Sequence, residues 1–120
     1  MSNNLDLEIK KALNNKTEWN HIALFTVKVN SETKIDFNLN KNEQTISASY
    51  EQIPQRIRHN YKNVTITYYS WNDGLSENIY DGITIHYETK RTITKTDELE
   101  PIVKEMIQEI INAKNKHMPN

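Results

Sequence analysis

The 120-residue chain contains no cysteine. That excludes a disulfide framework, a thiol nucleophile and any cysteine-ligated zinc or iron–sulfur centre. Glycine is scarce: Gly74 and Gly82 are the only two, too few to build a phosphate-cradling loop, and the Gly-x-Ser-x-Gly frame of a serine nucleophile elbow is absent. Charge of one sign is missing too. A formal net charge of -1 and a pI near 6.4 give no general basic character to draw nucleic acid. The longest unbroken apolar run covers only residues 22–25, so no segment is predicted to span a membrane. The first eight residues carry no apolar core of a secretion signal, and a cytoplasmic location is expected.

The length suits one domain over residues 1–120, large enough to bury a core without covalent staples. Asn, Lys, Ile and Thr are abundant, a bias associated with AT-rich coding and hence with a bacterial or phage source. Leu5, Ile9, Ala12 and Leu13 repeat at helical spacing and predict an N-terminal helix. Residues 19–29 read as one strand. In it Trp19, His21, Ala23, Phe25, Val27 and Val29 share a face, with Ile22 and Leu24 on the other. Ile35, Phe37 and Leu39 alternate strictly with polar residues, and Ile46, Ala48 and Tyr50 continue the pattern after a polar turn. Residues 52–61, with Pro54 and with Ile53, Ile57 and Tyr61 four apart, predict a short helix. Val64, Ile66 and Tyr68 open a fourth strand, Asn72-Asp73-Gly74 marks a turn, and Ile83, Ile85 and Tyr87 form a fifth strand. The final helix has Thr96 or Asp97 as its cap, capping-box spacing from Asp97 to Glu100, and Pro101 in its opening turn. Its apolar stripe is Leu99, Val103, Met106, Ile110 and Ala113, widened by Ile102 and Ile107; residues 116–120 are expected to fray.

The expected fold is therefore α+β: an antiparallel sheet of about five strands with the N- and C-terminal helices packed on it, in the order α-β-β-β-(α)-β-β-α. The last helix also allows a homodimer through its stripe, although packing on its own sheet is the simpler use.

Candidate chemistry is sparse. The histidines, His21, His59, His86 and His117, include no pair four residues apart on a helix, and only His21 and His86, both on predicted strands, could meet in space. No metal or cofactor is expected. Glu88-Thr89-Lys90 has the Glu-x-Lys form that Mg²⁺-dependent nucleases of the restriction-enzyme type carry on a strand, with Asp73 or Asp81 able to supply the first carboxylate. Alternating charge on a solvated strand produces the same common tripeptide. Arg56, Arg58, His59 and Lys62 form a small basic cluster that reads more simply as a solvated patch than as a nucleic-acid site.

Residues 67–88 stand apart. Tyr68, Tyr69, Trp71, Tyr80 and Tyr87 make up half of the chain's aromatic residues, and Asp73, Glu77, Asp81 and Glu88 accompany them without any lysine or arginine. Tyrosine and tryptophan bury much area at low entropy cost, and acids around them steer a basic partner. Tyr68 and Tyr87 are expected to pack across strands in the core. Tyr69, Trp71, Asp73, Glu77, Tyr80 and Asp81 are the expected partner-binding residues.

In size, composition and α+β architecture the whole chain resembles the immunity proteins that neutralise secreted or contact-delivered bacterial toxins. The element order is also similar to that of type III secretion chaperones, which hold an unfolded effector segment as homodimers. The first resemblance implies a non-enzymatic protein-binding inhibitor that occludes a protein partner, a basic toxin or nuclease domain. A phage-encoded inhibitor of a host defence enzyme would use the same occluding chemistry, and a nuclease built on Glu88 and Lys90 is the enzymatic alternative.

Overall fold

The computed structural model describes residues 2–52, 67–68, 74–80 and 84–117. Helix α1 spans Ser2–Asn14. Its apolar spacing places Ile9 and Ala12 in the core, with Leu5 and Leu13 packed at its margin. The helix stops where Asn15 folds back, its backbone N–H and its Nδ2 both donating to the Lys11 carbonyl at 3.1 and 2.8 Å.

Seven strands follow among the described residues: β1 (Thr17–Trp19), β2 (Ile22–Lys28), β3 (Lys34–Asn40), β4 (Thr45–Gln52), β5 (Thr67–Tyr68), β6 (Gly74–Tyr80) and β7 (Thr84–Thr92). They form one antiparallel sheet in the order β1-β2-β3-β4-β7-β6-β5. Five strands have seven to nine residues, and two short ones flank them. The α+β class and the five-strand antiparallel core thus agree with expectation, as do the two terminal helices.

Local chemistry explains the turns. Asn30 Oδ1 accepts from the N–H groups of Glu32 and Thr33, both at 2.9 Å, and Asn40 Oδ1 accepts from those of Asn42 and Glu43 at 3.1 and 3.0 Å. These are the side-chain-to-backbone bonds that make asparagine a turn former.

Helix α2 spans Leu99–His117. It begins at Leu99 with Pro101 in its first turn. The Asp97 carboxylate turns away from the helix and accepts from the Thr94 N–H at 2.8 Å, in place of the expected capping box. The helix ends at His117, and residues 118–120 lie outside the described set.

Both helices lie on one face of the sheet. That face presents Ala23, Phe25 and Val27 of β2, Ile35, Phe37 and Leu39 of β3, Ile46 and Ala48 of β4, and Ile85 and Tyr87 of β7, all buried. Val103, Met106, Ile107, Ile110 and Ala113 of α2 close over them. Phe25 stacks on Phe37 at 5.0 Å and Tyr50 on Tyr87 at 6.1 Å. Each large apolar side chain buried this way contributes about 1.5–3 kcal/mol. Thr89, wholly buried in an apolar row, donates its hydroxyl to Glu109 of α2. Arg91 closes the set, with Nη1 on Thr89 Oγ1 at 2.8 Å and Nη2 on Glu109 Oε1 at 3.1 Å. This clamp fixes α2 over β7.

Two expectations are corrected. Residues 19–29 are not one strand, because Asn20 takes a left-handed φ of 55° and makes a two-residue hairpin with His21. Trp19 consequently stands opposite Ile22 and leaves the face of Ala23. Residues 74–80, read as turn and loop, form strand β6. Because β6 lies between β5 and β7, Tyr68 pairs with Glu77 and is no direct cross-strand neighbour of Tyr87. The helix predicted within 52–61 lies outside the described residues from position 53 onward, Gln52 itself ending β4. Among the described residues no helix is long and apolar enough to cross a membrane.

Candidate functional site

With both helices on one face, no described element covers the other face of β2, β3, β4 and β7. Register defines four rows across it. The first runs Trp19, Ile22, Asn40, Thr45, Thr92; the second Thr17, Leu24, Asn38, Ser47, Lys90; the third Thr26, Asp36, Ser49, Glu88. The fourth holds Lys28 opposite Lys34, and Glu51 opposite His86. Side chains opposed across antiparallel strands lie on the same face, so these rows are surfaces.

The rows differ in character. At the β1–β2 corner, Trp19 is 75% exposed and Leu24 47% exposed, with Ile22 half-buried beside them. Amides and hydroxyls from Asn38, Asn40, Thr45 and Ser47 adjoin this corner, and the first two rows stay uncharged as far as Lys90. Charges of both signs occupy the other half, with Lys28, Lys34 and Lys90 beside Asp36, Glu51 and Glu88. Asp36 accepts from the Thr26 hydroxyl at 2.7 Å. His86 sits between two acids, with Nδ1 3.3 Å from Glu51 and Nε2 3.6 Å from Glu88. Glu32, Lys34, Asp36, Ser49, Glu51 and His86 line an open groove of about 490 Å³ here. At the edge beside Trp19, Glu18 is paired with Lys41; that hydrogen bond, then the lysine's charge, hold the Glu18 carboxyl below the usual carboxylate range.

A larger cavity, about 800 Å³, lies between α1 and the start of α2, floored by Ile9, Leu13, Leu99 and Pro101. Lys104 and Asp6 pair at 2.9 Å across its rim. That ion pair ties the two helices together.

Of the expected partner-binding residues, Tyr69, Trp71, Asp73 and Asp81 lie outside the described residues. The register of β6 puts Glu77 opposite Tyr87 and Tyr80 opposite Thr84, so the two positions belong to opposite alternations of that strand. The basic cluster of Arg56, Arg58, His59 and Lys62 is also outside. Glu88 and Lys90 both fall on the open face, opposite Ser49 and Ser47, while Thr89 between them is buried. His21 and His86 do not meet, because β3 and β4 separate the β2 end from β7. Among the described residues no group of three His, Asp or Glu side chains is placed to hold a metal ion.

Sequence reasoning passed over the Trp19–Leu24 corner. One signal for it was available: Leu24 interrupts the polar side of the β2–β3 hairpin, where its opposite number is Asn38. Known protein-family models, curated proteins and solved structures were all compared with the chain, and none matches it.

Proposed function

We propose that this chain is a non-enzymatic protein-binding inhibitor that neutralises its partner by occlusion, as an immunity protein acting against a bacterial toxin in the cytoplasm. The observation that carries the reading is the sheet face that no described element covers, with Trp19 and Leu24 displayed on it. Exposed aromatic anchors framed by polar groups are the usual energetic centre of a protein interface, and the site needs no chemistry of its own to block an active surface. The partner under this reading is a basic toxin or nuclease domain. Its basic surface also meets the acidic aromatic stretch, through Tyr69, Trp71, Asp73, Glu77, Tyr80 and Asp81.

The test is neutralisation. The product of the gene adjoining this chain's gene is expressed in a bacterial host with and without the chain. The expected result is toxicity that the chain relieves, together with a stoichiometric purified complex in which the toxin is inactive. A neighbour that is harmless, or a toxin that stays active in saturating chain, overturns the proposal. Trp71→Ala combined with Asp73→Lys separately tests the acidic aromatic contacts, which are wrong if partner affinity is unchanged.

A further inference from the structure

The open face has two chemically distinct halves, and their separation describes what the face can hold. Trp19, Ile22 and Leu24 form an apolar corner at the β1–β2 edge. Asp36 and Glu51 lie toward β3 and β4, and among the described residues neither pairs with a lysine or arginine. Glu51 on β4 is two strand spacings from the corner on β2, on the order of 10 Å, while Asp36 on β3 is a diagonal neighbour of Leu24. Asn38, Ser47 and Ser49 lie alongside, with donors and acceptors for a polypeptide laid across the face.

Resting on the binding reading above, we infer that this face docks a protein segment with two features. One is an aromatic or branched aliphatic side chain for the Trp19–Leu24 corner. The other is a lysine or arginine that enters the groove beside Asp36 and Glu51. Charge complementarity decides the second feature: the groove holds three carboxylates, Glu32, Asp36 and Glu51, against one lysine, Lys34, and His86 beside Glu51. A nucleic acid would bring phosphates onto these same acids. One pairing of two copies, about a two-fold axis between β3 and β4, would set Leu24 over Lys90 and leave the apolar corner uncovered.

The probe is a randomised dodecapeptide display library selected on the immobilised full-length chain. Enriched peptides are expected to share an apolar anchor and a separate Arg or Lys. Their affinity should fall about thirtyfold with Trp19→Ala and about tenfold with Asp36→Lys plus Glu51→Lys, while Lys10→Glu on α1 leaves it unchanged. Enriched peptides without basic residues, peptides that bind the open-face variants as well as the parent, or no enrichment all overturn the inference. Failure here leaves the neutralisation result untouched. A chain that selects such peptides yet neutralises no toxin keeps its docking face and loses the inhibitor reading.

Discussion

Thr89→Val isolates the clamp between α2 and the sheet. Valine has the shape of threonine, so the row formed by Phe25, Phe37, Ala48 and Thr89 keeps its packing and only the hydroxyl is lost. A hydrogen bond to a charged acceptor contributes about 1.5–3 kcal/mol. Glu109 is 32% exposed and retains Arg91, so its carboxylate is not orphaned and the lower part of that range applies. The valine methyl recovers part of the loss by burial. The expected destabilisation is about 1–2 kcal/mol, a fall in Tm of roughly 4–10 °C for a chain of this length. Urea unfolding should show a lower midpoint at unchanged slope, because the surface exposed on unfolding is the same. A double-mutant cycle with Glu109→Ala should give a coupling above about 0.5 kcal/mol. If Thr89→Val is neutral or stabilising and the coupling vanishes, the hydroxyl does not hold α2, and the account of the clamp is refuted.

Adjacent positions on β2 test the assignment of faces. Phe25→Ala should cost about 3–5 kcal/mol by chemical denaturation, while Leu24→Lys should stay within about 0.5 kcal/mol; equal costs would mean that the faces are misassigned. Asn20→Val should destabilise by about 1–2 kcal/mol through its left-handed φ, and Asn20→Gly should be tolerated, as thermal unfolding of the two variants would show. Carboxyl NMR titration should find Glu18 below the usual carboxylate range, returning toward it in Lys41→Ala. A depressed folded-state value means that the pair stabilises above the unfolded value, and that this contribution is lost as pH falls through the folded one. An unchanged titration in Lys41→Ala would rule the pairing out. In a Trp71→Phe background, acrylamide should quench Trp19 nearly as well as free indole; strong protection would place Trp19 in the core.

How much of this was legible depended on whether the deciding force was local. The hairpin of β2 and β3 could be read because strict alternation with one polar face admits a single arrangement: a one-residue slip would expose Ile35, Phe37 and Leu39. The final helix could be read because its stripe exceeds any local ambiguity. The β1–β2 hairpin was missed for a geometric reason. In a continuous strand residues 19 and 23 share a face, whereas a two-residue turn opposes 19 to 22 and moves Trp19 to the other side. Asn20-His21 marks that turn weakly, since asparagine only tolerates the left-handed region that glycine would have announced. β6 was missed because Glu77 breaks the alternation between Leu75 and Ile79. Pairing with β7 along its whole length overrides the poor local signal.

The site raises a different problem, because periodicity sorts residues into faces without saying which face is covered. For β2 both sides looked apolar in the first half, with Ile22 and Leu24 facing away from Ala23 and Phe25. The neighbouring strand resolves it: Phe25 meets Phe37 and Leu24 meets Asn38, so the helices belong on the phenylalanine side. Leu24 is then an apolar residue on a polar surface, and the hairpin carries Trp19 to the same corner. An indole three-quarters exposed recovers little transfer free energy, so fold stability does not account for Trp19 at that position. Single exposed apolar residues are ordinary. A tryptophan and a leucine on adjoining strands, on the face that no described element covers, with Ile22 between them and Asn38 and Asn40 alongside, have the layout of an interface centre. That layout ties the stability and binding predictions together: Trp19→Ala and Leu24→Lys should leave the fold intact while removing the partner.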